Sequence, residues 1–245
     1  MNNAVGFRAA VRPRHWVFVL GAGALVVLFI GVKHLLYPAD LRLTSLKDIV
    51  QVELRLQIVF ALGAVGYLYL LRRFHPERFQ FFDAAGNLRA RADAAPLFGI
   101  RRGDSWLHIG AGTALISLTL TGLYAYVQML NRTLPAPEVM IPSMLFAALL
   151  AAGSAFTVTA ITRFGLVVCL HRTIPNGLIC LVSALVFGLP QVFALQSGWL
   201  SALLACLIGW LATRSILETR GTVWAWMLQF SRDWVLYTAL LSMLR

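Results

Sequence analysis

The 245-residue chain is 59% hydrophobic and only 13% charged, which excludes a soluble globule, because no such fold could hide that much apolar surface. Its net charge of +11 comes almost wholly from arginine, since Lys33 and Lys47 are the only lysines. These charges fall between long apolar runs, where the positive-inside pattern of membrane proteins accounts for them and nucleic acid is not the partner.

A helical span needs about 20 apolar residues. Taken in chain order, Met1 to Arg14 carries Arg8, Arg12 and Arg14, and the run from Trp16 to Leu36 is too long for a cleaved signal core. It reads as a retained first span. Further candidates cover 54–71, 106–130, 139–162, 176–195, 199–213 and 222–244. The expected fold is therefore an all-α, polytopic transmembrane helical bundle of about seven spans. The stretch from Arg163 to Leu170 reads as a continuation of the fourth helix. The sixth candidate is short, and is expected to be tilted, re-entrant or buried among its neighbours.

Between the second and third candidates lies the one sizeable aqueous segment, 72–104, with arginine in excess over acid. That excess places it in the cytoplasm, together with the amino terminus and the turns at His171–Arg172 and Arg214–Arg220. Within it, Phe79-Gln80-Phe81-Phe82-Asp83 resembles an aromatic strand entering a turn. Cys169, Cys180 and Cys206 lack metal-ligand spacing and read as small buried hydrophobes.

Ionisable side chains inside a span are costly, by about 2.5–3.5 kcal/mol each at mid-depth, so they face protein and do a job. Arg232 and Asp233 lie side by side within the last candidate. Neighbours on a helix point about 100° apart, so each needs a separate partner. Gln191, Gln196, Thr159 and Arg163 are the candidates for that role. Arg163 has two readings, as a snorkelling marker of a cytoplasmic helix end or as an inward group ordering a polar site. Ser154 and Ser183 read as packing residues.

The histidines give a second theme. His108 opens the third candidate, which runs on to Thr121-Gly122, and His15 opens the first. This resembles the haem-binding helix of b-type cytochrome membrane subunits, with His15 and His108 as alternative haem ligands. The bland reading, interfacial histidines with no cofactor bound, is preferred. No His-x-x-x-His, Gly-x-Ser-x-Gly or Walker loop is present, so no metal site is expected.

From Phe98 onward the chain resembles the CPBP family of membrane proteins, which includes CAAX prenyl endopeptidases and bacteriocin-processing or self-immunity proteins. The residues that carry the resemblance are Phe98-Gly99-Ile100-Arg101-Arg102-Gly103-Asp104-Ser105-Trp106, the stretch from Arg163 through Leu170-His171-Arg172 to Phe187-Gly188-Leu189-Pro190-Gln191, and Arg220-Gly221-Thr222-Val223-Trp224. Family members carry Glu-Glu-x-x-x-Arg, then Phe-x-x-x-His, then His-x-x-x-Asn or Asp. Here the paired glutamates fall on Val158 and Thr159, the arginine is kept as Arg163, and the first histidine falls on Gln191. The last motif falls on Gln229 to Asp233 or, shifted by one, on Phe230 to Trp234. In active members a glutamate activates water, and a general base needs a titratable group that Val158 and Thr159 lack.

The resemblance implies a two-span region at 1–97 with a cytoplasmic arginine-rich loop, followed by a CPBP-like helical domain at 98–245. It implies a pseudo-protease, a non-catalytic scaffold in the bacterial inner (cytoplasmic) membrane, amino terminus inside. Its polar cavity, ringed by Arg163, Gln191, Arg232 and Asp233, would bind a membrane protein partner or a lipid-linked ligand, among membrane lipids and without a cofactor. The alternatives are an active CPBP-type endopeptidase that uses Asp233 and a b-type haem subunit of an electron-transfer complex. Transport ranks last, for want of an inverted repeat.

Overall fold

The computed structural model describes residues 13–36, 46–74, 79–80, 95–96, 119, 122, 137–171, 173–193, 199–219 and 221–242. The chain is helical throughout these residues, apart from short turns and one two-residue parallel pairing of β1 (Phe79–Gln80) with β2 (Ala95–Pro96). The helices are α1 (Pro13–Leu36), α2 (Leu46–Phe74), α3 (Pro137–Val158), α4 (Gly165–Leu170), α5 (Asn176–Gly188), α6 (Trp199–Thr219) and α7 (Val223–Ser242). A π-helical segment, Thr159–Phe164, joins α3 to α4 in one rod, and a 3-10 turn, Leu189–Phe193, extends α5.

Three of these helices hold a stretch long and apolar enough to cross a membrane: Trp16–Lys33, Val50–Phe74 and Met144–Leu170. Asn176–Val192 is a shorter apolar helix. Large apolar side chains face outward at helical spacing, as in Leu178, Leu181, Leu185 and Leu189, or Trp199, Leu203 and Leu207. Acyl chains satisfy such faces, whereas water does not.

Several boundaries differ from the sequence expectation. The second span was expected to begin after Glu53, but α2 begins at Leu46 and carries Glu53 buried in its interior. The sixth candidate is longer than expected: α6 continues to Thr219, for 21 residues. The expected run from Arg163 to Leu170 does continue the fourth helix, through the π segment. The third candidate lies almost wholly outside the described residues, of which Thr119 and Gly122 are helical. The aromatic strand is present as Phe79–Gln80, and the turn expected after it lies outside them.

Side-chain contacts fix the directions of the helices. Phe18 meets Tyr67, Phe29 stacks on Phe60, and Lys33 reaches Glu53, so α1 and α2 run antiparallel. Ser154 bonds Asp233 while Leu150 packs with Leu241, so α3 and α7 are also antiparallel. Helices in lipid lack a hydrophobic drive toward each other, so close approach depends on small residues. At Gly165 an added Cβ would lie 2.5 Å from the Tyr67 ring, and at Gly188 it would overlap Cys206. These two glycines let α2 and α6 approach the central rod and α5. The core they frame includes Phe164, Leu166, Leu170, Ile179, Ile216 and Leu228.

Candidate functional site

The π segment places the central residue of the site. The Gly165 N–H reaches back to the Ala160 carbonyl, the five-residue step of a π turn. Thr162 Oγ1 donates to the Val158 carbonyl at 2.7 Å, while the Thr162 carbonyl accepts from Ser183 Oγ at 2.7 Å. Thr213 Oγ1 in turn donates to Ser183 Oγ at 2.6 Å, tying α6 and α5 to the widened turn. Ser183 is therefore a bridge between three elements, not the packing residue expected. Replacing it with alanine leaves the buried Thr213 hydroxyl and the Thr162 carbonyl short of a partner. A loss of about 1–3 kcal/mol is expected, measurable by unfolding in mixed micelles, with the Ser183→Thr variant retaining part of it.

Arg163 leaves this turn pointing inward and is 0% exposed, so the snorkelling reading is set aside. Its Nη2 donates to Gln229 Oε1 at 2.6 Å, and its Nη1 donates to Thr159 Oγ1 at 3.3 Å. Its Nε is buried and has no hydrogen-bond partner among the described residues. Gln229 passes the connection on, as its Nε2 donates to both oxygens of Asp233 at 2.8 Å. Ser154 Oγ donates to Asp233 Oδ2 at 2.6 Å. Arg163 and Asp233 thus belong to one network but are joined through an amide.

Arg232 and Asp233 turn to different helices, as their angular separation requires. Asp233 faces α3, whereas Arg232 lies over the Phe187 ring of α5 at 5.5 Å. Arg163 covers the same ring at 5.1 Å, so two guanidinium groups share one aromatic side chain. The remaining link between the neighbours is Arg232 Nη1 to Asp233 Oδ1 at 3.8 Å. Gln191 is half-buried in the 3-10 turn, four residues beyond Phe187.

Of the four residues singled out from sequence, Arg163, Arg232 and Asp233 converge, and Gln191 lies on the element that carries their shared ring. The partner list was less accurate. Of the partners expected for the Arg232–Asp233 pair, Thr159 serves Arg163 instead, and Gln196 lies outside the described residues. Ser154 and Gln229 carry the polar contacts of Asp233. The four-residue spacing of Gln229 and Asp233 was the one available signal for the second of these. His108 lies outside the described residues, as does the side chain of His15, which sits in α1.

A second polar group lies farther along α7. Tyr237, one turn beyond Asp233, accepts from Gln57 Nε2 at 3.0 Å, and Lys33 pairs with Glu53 at 3.0 Å. Lys33 also approaches the Tyr237 ring, at 5.7 Å. Glu53 Oε2 and Gln57 Oε1 are buried without a donor among the described residues. Sequence reasoning missed this group because Glu53 was taken to precede its span. Among the described residues, no three His, Cys, Asp or Glu side chains are grouped to hold a metal ion. No protein-family profile, curated protein or solved structure matches the chain.

Proposed function

We propose that the chain is a CPBP-like, non-catalytic scaffold of the inner membrane, with about seven spans and a cytoplasmic amino terminus, that holds a membrane partner or lipid-linked ligand at the Arg163 cluster. One observation carries this reading. Thr159, Arg163, Gln229 and Asp233, which fall on motif positions of that family, meet through hydrogen bonds although 66 residues separate Arg163 from Gln229. The frame from Gln229 to Asp233 fits this better than the frame shifted by one. Phe230 stacks instead with Trp226 on one side and Trp234 on the other.

The chemistry of the cluster favours binding over catalysis. A general base must offer a lone pair to water. Asp233 already accepts from an amide and a hydroxyl, and the glutamate positions hold Val158 and Thr159. Such a network holds Asp233 as an internal acceptor and orders an interior surface.

Mild-detergent copurification of the tagged protein from its native membrane tests the reading, with an absorbance spectrum on the same sample. A near-stoichiometric membrane partner, lost in Arg163→Ala or Arg232→Ala protein that still folds, is the expected result. Retention of the partner by both variants would sink the assignment of the site. Cleavage of candidate peptides, abolished by Asp233→Asn, would replace it with the endopeptidase reading. A Soret band would replace it with the haem reading.

A further inference from the structure

We infer that the Arg163–Arg232 pair is built to receive an anionic oxygen group, the phosphate of a membrane lipid or a free phosphate. The inference takes the location of the site from the scaffold reading and adds the chemistry of its ligand.

The argument is a charge balance in a dry place. Among the described residues, two guanidinium groups, those of Arg163 and Arg232, face a single carboxylate, Asp233, which leaves the cluster one negative charge short. The other polar neighbours, Gln229, Thr159 and Ser154, are neutral dipoles. The Phe187 ring offers only the weak negative potential of its face, shared between both cations. The Lys33–Glu53 pair is neutral by itself and contributes no counter-charge. An uncompensated charge in a low-dielectric interior is costly, and a fitting anion relieves it.

Two details show where an anion would be held. Arg163 Nε is a fully buried donor without a partner among the described residues, on a side chain whose other bonds lock it in place. Arg232, with 13% of its side chain exposed and its nearest carboxylate oxygen 3.8 Å away, is the accessible edge of the cluster. Guanidinium donors arranged as a planar fork match phosphate and carboxylate oxygens, and phosphate is the anion that a lipid environment supplies at the bundle surface.

The test uses purified full-length protein in phosphatidylcholine nanodiscs. One arm adds phosphatidylglycerol to the bilayer and the other adds inorganic phosphate to the buffer. A rise in Tm of about 5 °C is expected at a probe concentration about a hundred times its Kd. A response to the lipid alone assigns the site to a headgroup phosphate, and a response to inorganic phosphate assigns it to a free anion.

Arg232→Gln should abolish the rise, while Arg214→Gln, which removes an exposed arginine paired with Glu218, should keep it. Asp233→Asn should enlarge it, because the internal competitor for the guanidinium groups is gone. That increase is not expected of a residue that only holds the fold together, and it stands as a test even where Arg232→Gln does not fold. No rise with either probe, a rise that survives Arg232→Gln, or no gain in Asp233→Asn would overturn the inference. Because no partner is present in the assay, its outcome is independent of whether copurification finds one.

Discussion

Asp233→Ala should cost about 3–5 kcal/mol of stability. Asp233 is 6% exposed and is the carboxylate against which Arg163 and Arg232 are arranged. Without it, two cations remain beside one aromatic ring, and the Ser154 hydroxyl and the Gln229 amide lose their acceptor. Asp233→Asn keeps an oxygen for those donors and should lose less.

Charge accounts for the difference, so adding Arg232→Gln to Asp233→Ala should recover part of the loss, with a coupling of about 0.5–3 kcal/mol. Unfolding midpoints in mixed micelles for the two single variants and the double would measure this. A strictly additive double variant would mean that Asp233 acts through packing alone. The Ser154 contact is separable by the same method, since Ser154→Ala removes one hydrogen bond and leaves the charges untouched.

Gly188→Ala is expected to destabilise the pairing of α5 with α6 by about 1–3 kcal/mol. A Cβ at that position overlaps the Cys206 sulfur and lies 2.7 Å from the Cys206 backbone N and 2.9 Å from its Cα. A side chain can rotate away, but two backbones can only separate. The adjacent residue, Phe187, carries the ring under both guanidinium groups, so separation would also loosen the site.

Cys206→Ala removes the sulfur but not the backbone contact and should therefore rescue little of the Gly188→Ala loss. Substantial rescue would show that the sulfur alone sets the helix distance. The same thermal measurement with added anion would report the site, as a loosened Phe187 should weaken the response.

Resemblance and contact geometry illuminate different halves of the site. Motif spacing pointed to Arg163 and Asp233 because charge inside an apolar run is conspicuous. It undervalued Ser154 and Ser183, since serine in a membrane helix is common and its partner depends on which helix lies opposite. The frame of the last motif stayed open in the sequence, because Gln229 and Phe230 are one residue apart and both begin a four-residue step. In the folded chain Gln229 faces Arg163, while Phe230 joins the aromatic stack along α7.

The sequence by itself determined the solvent and the helices. A backbone in lipid must satisfy its own hydrogen bonds, so long apolar runs become helices whatever their neighbours, and α1, α3, α5 and α7 lie close to where such runs predict them. Buried charge is equally legible, since its cost is local to the residue that bears it. Only the tertiary structure decided the π turn beneath Arg163, the Ser183 bridge, the Gln57–Tyr237 contact and the Lys33–Glu53 pair. Each depends on the rotation and register of one helix against another, and these are set by close approach at residues such as Gly165 and Gly188, which no periodicity along a single helix records.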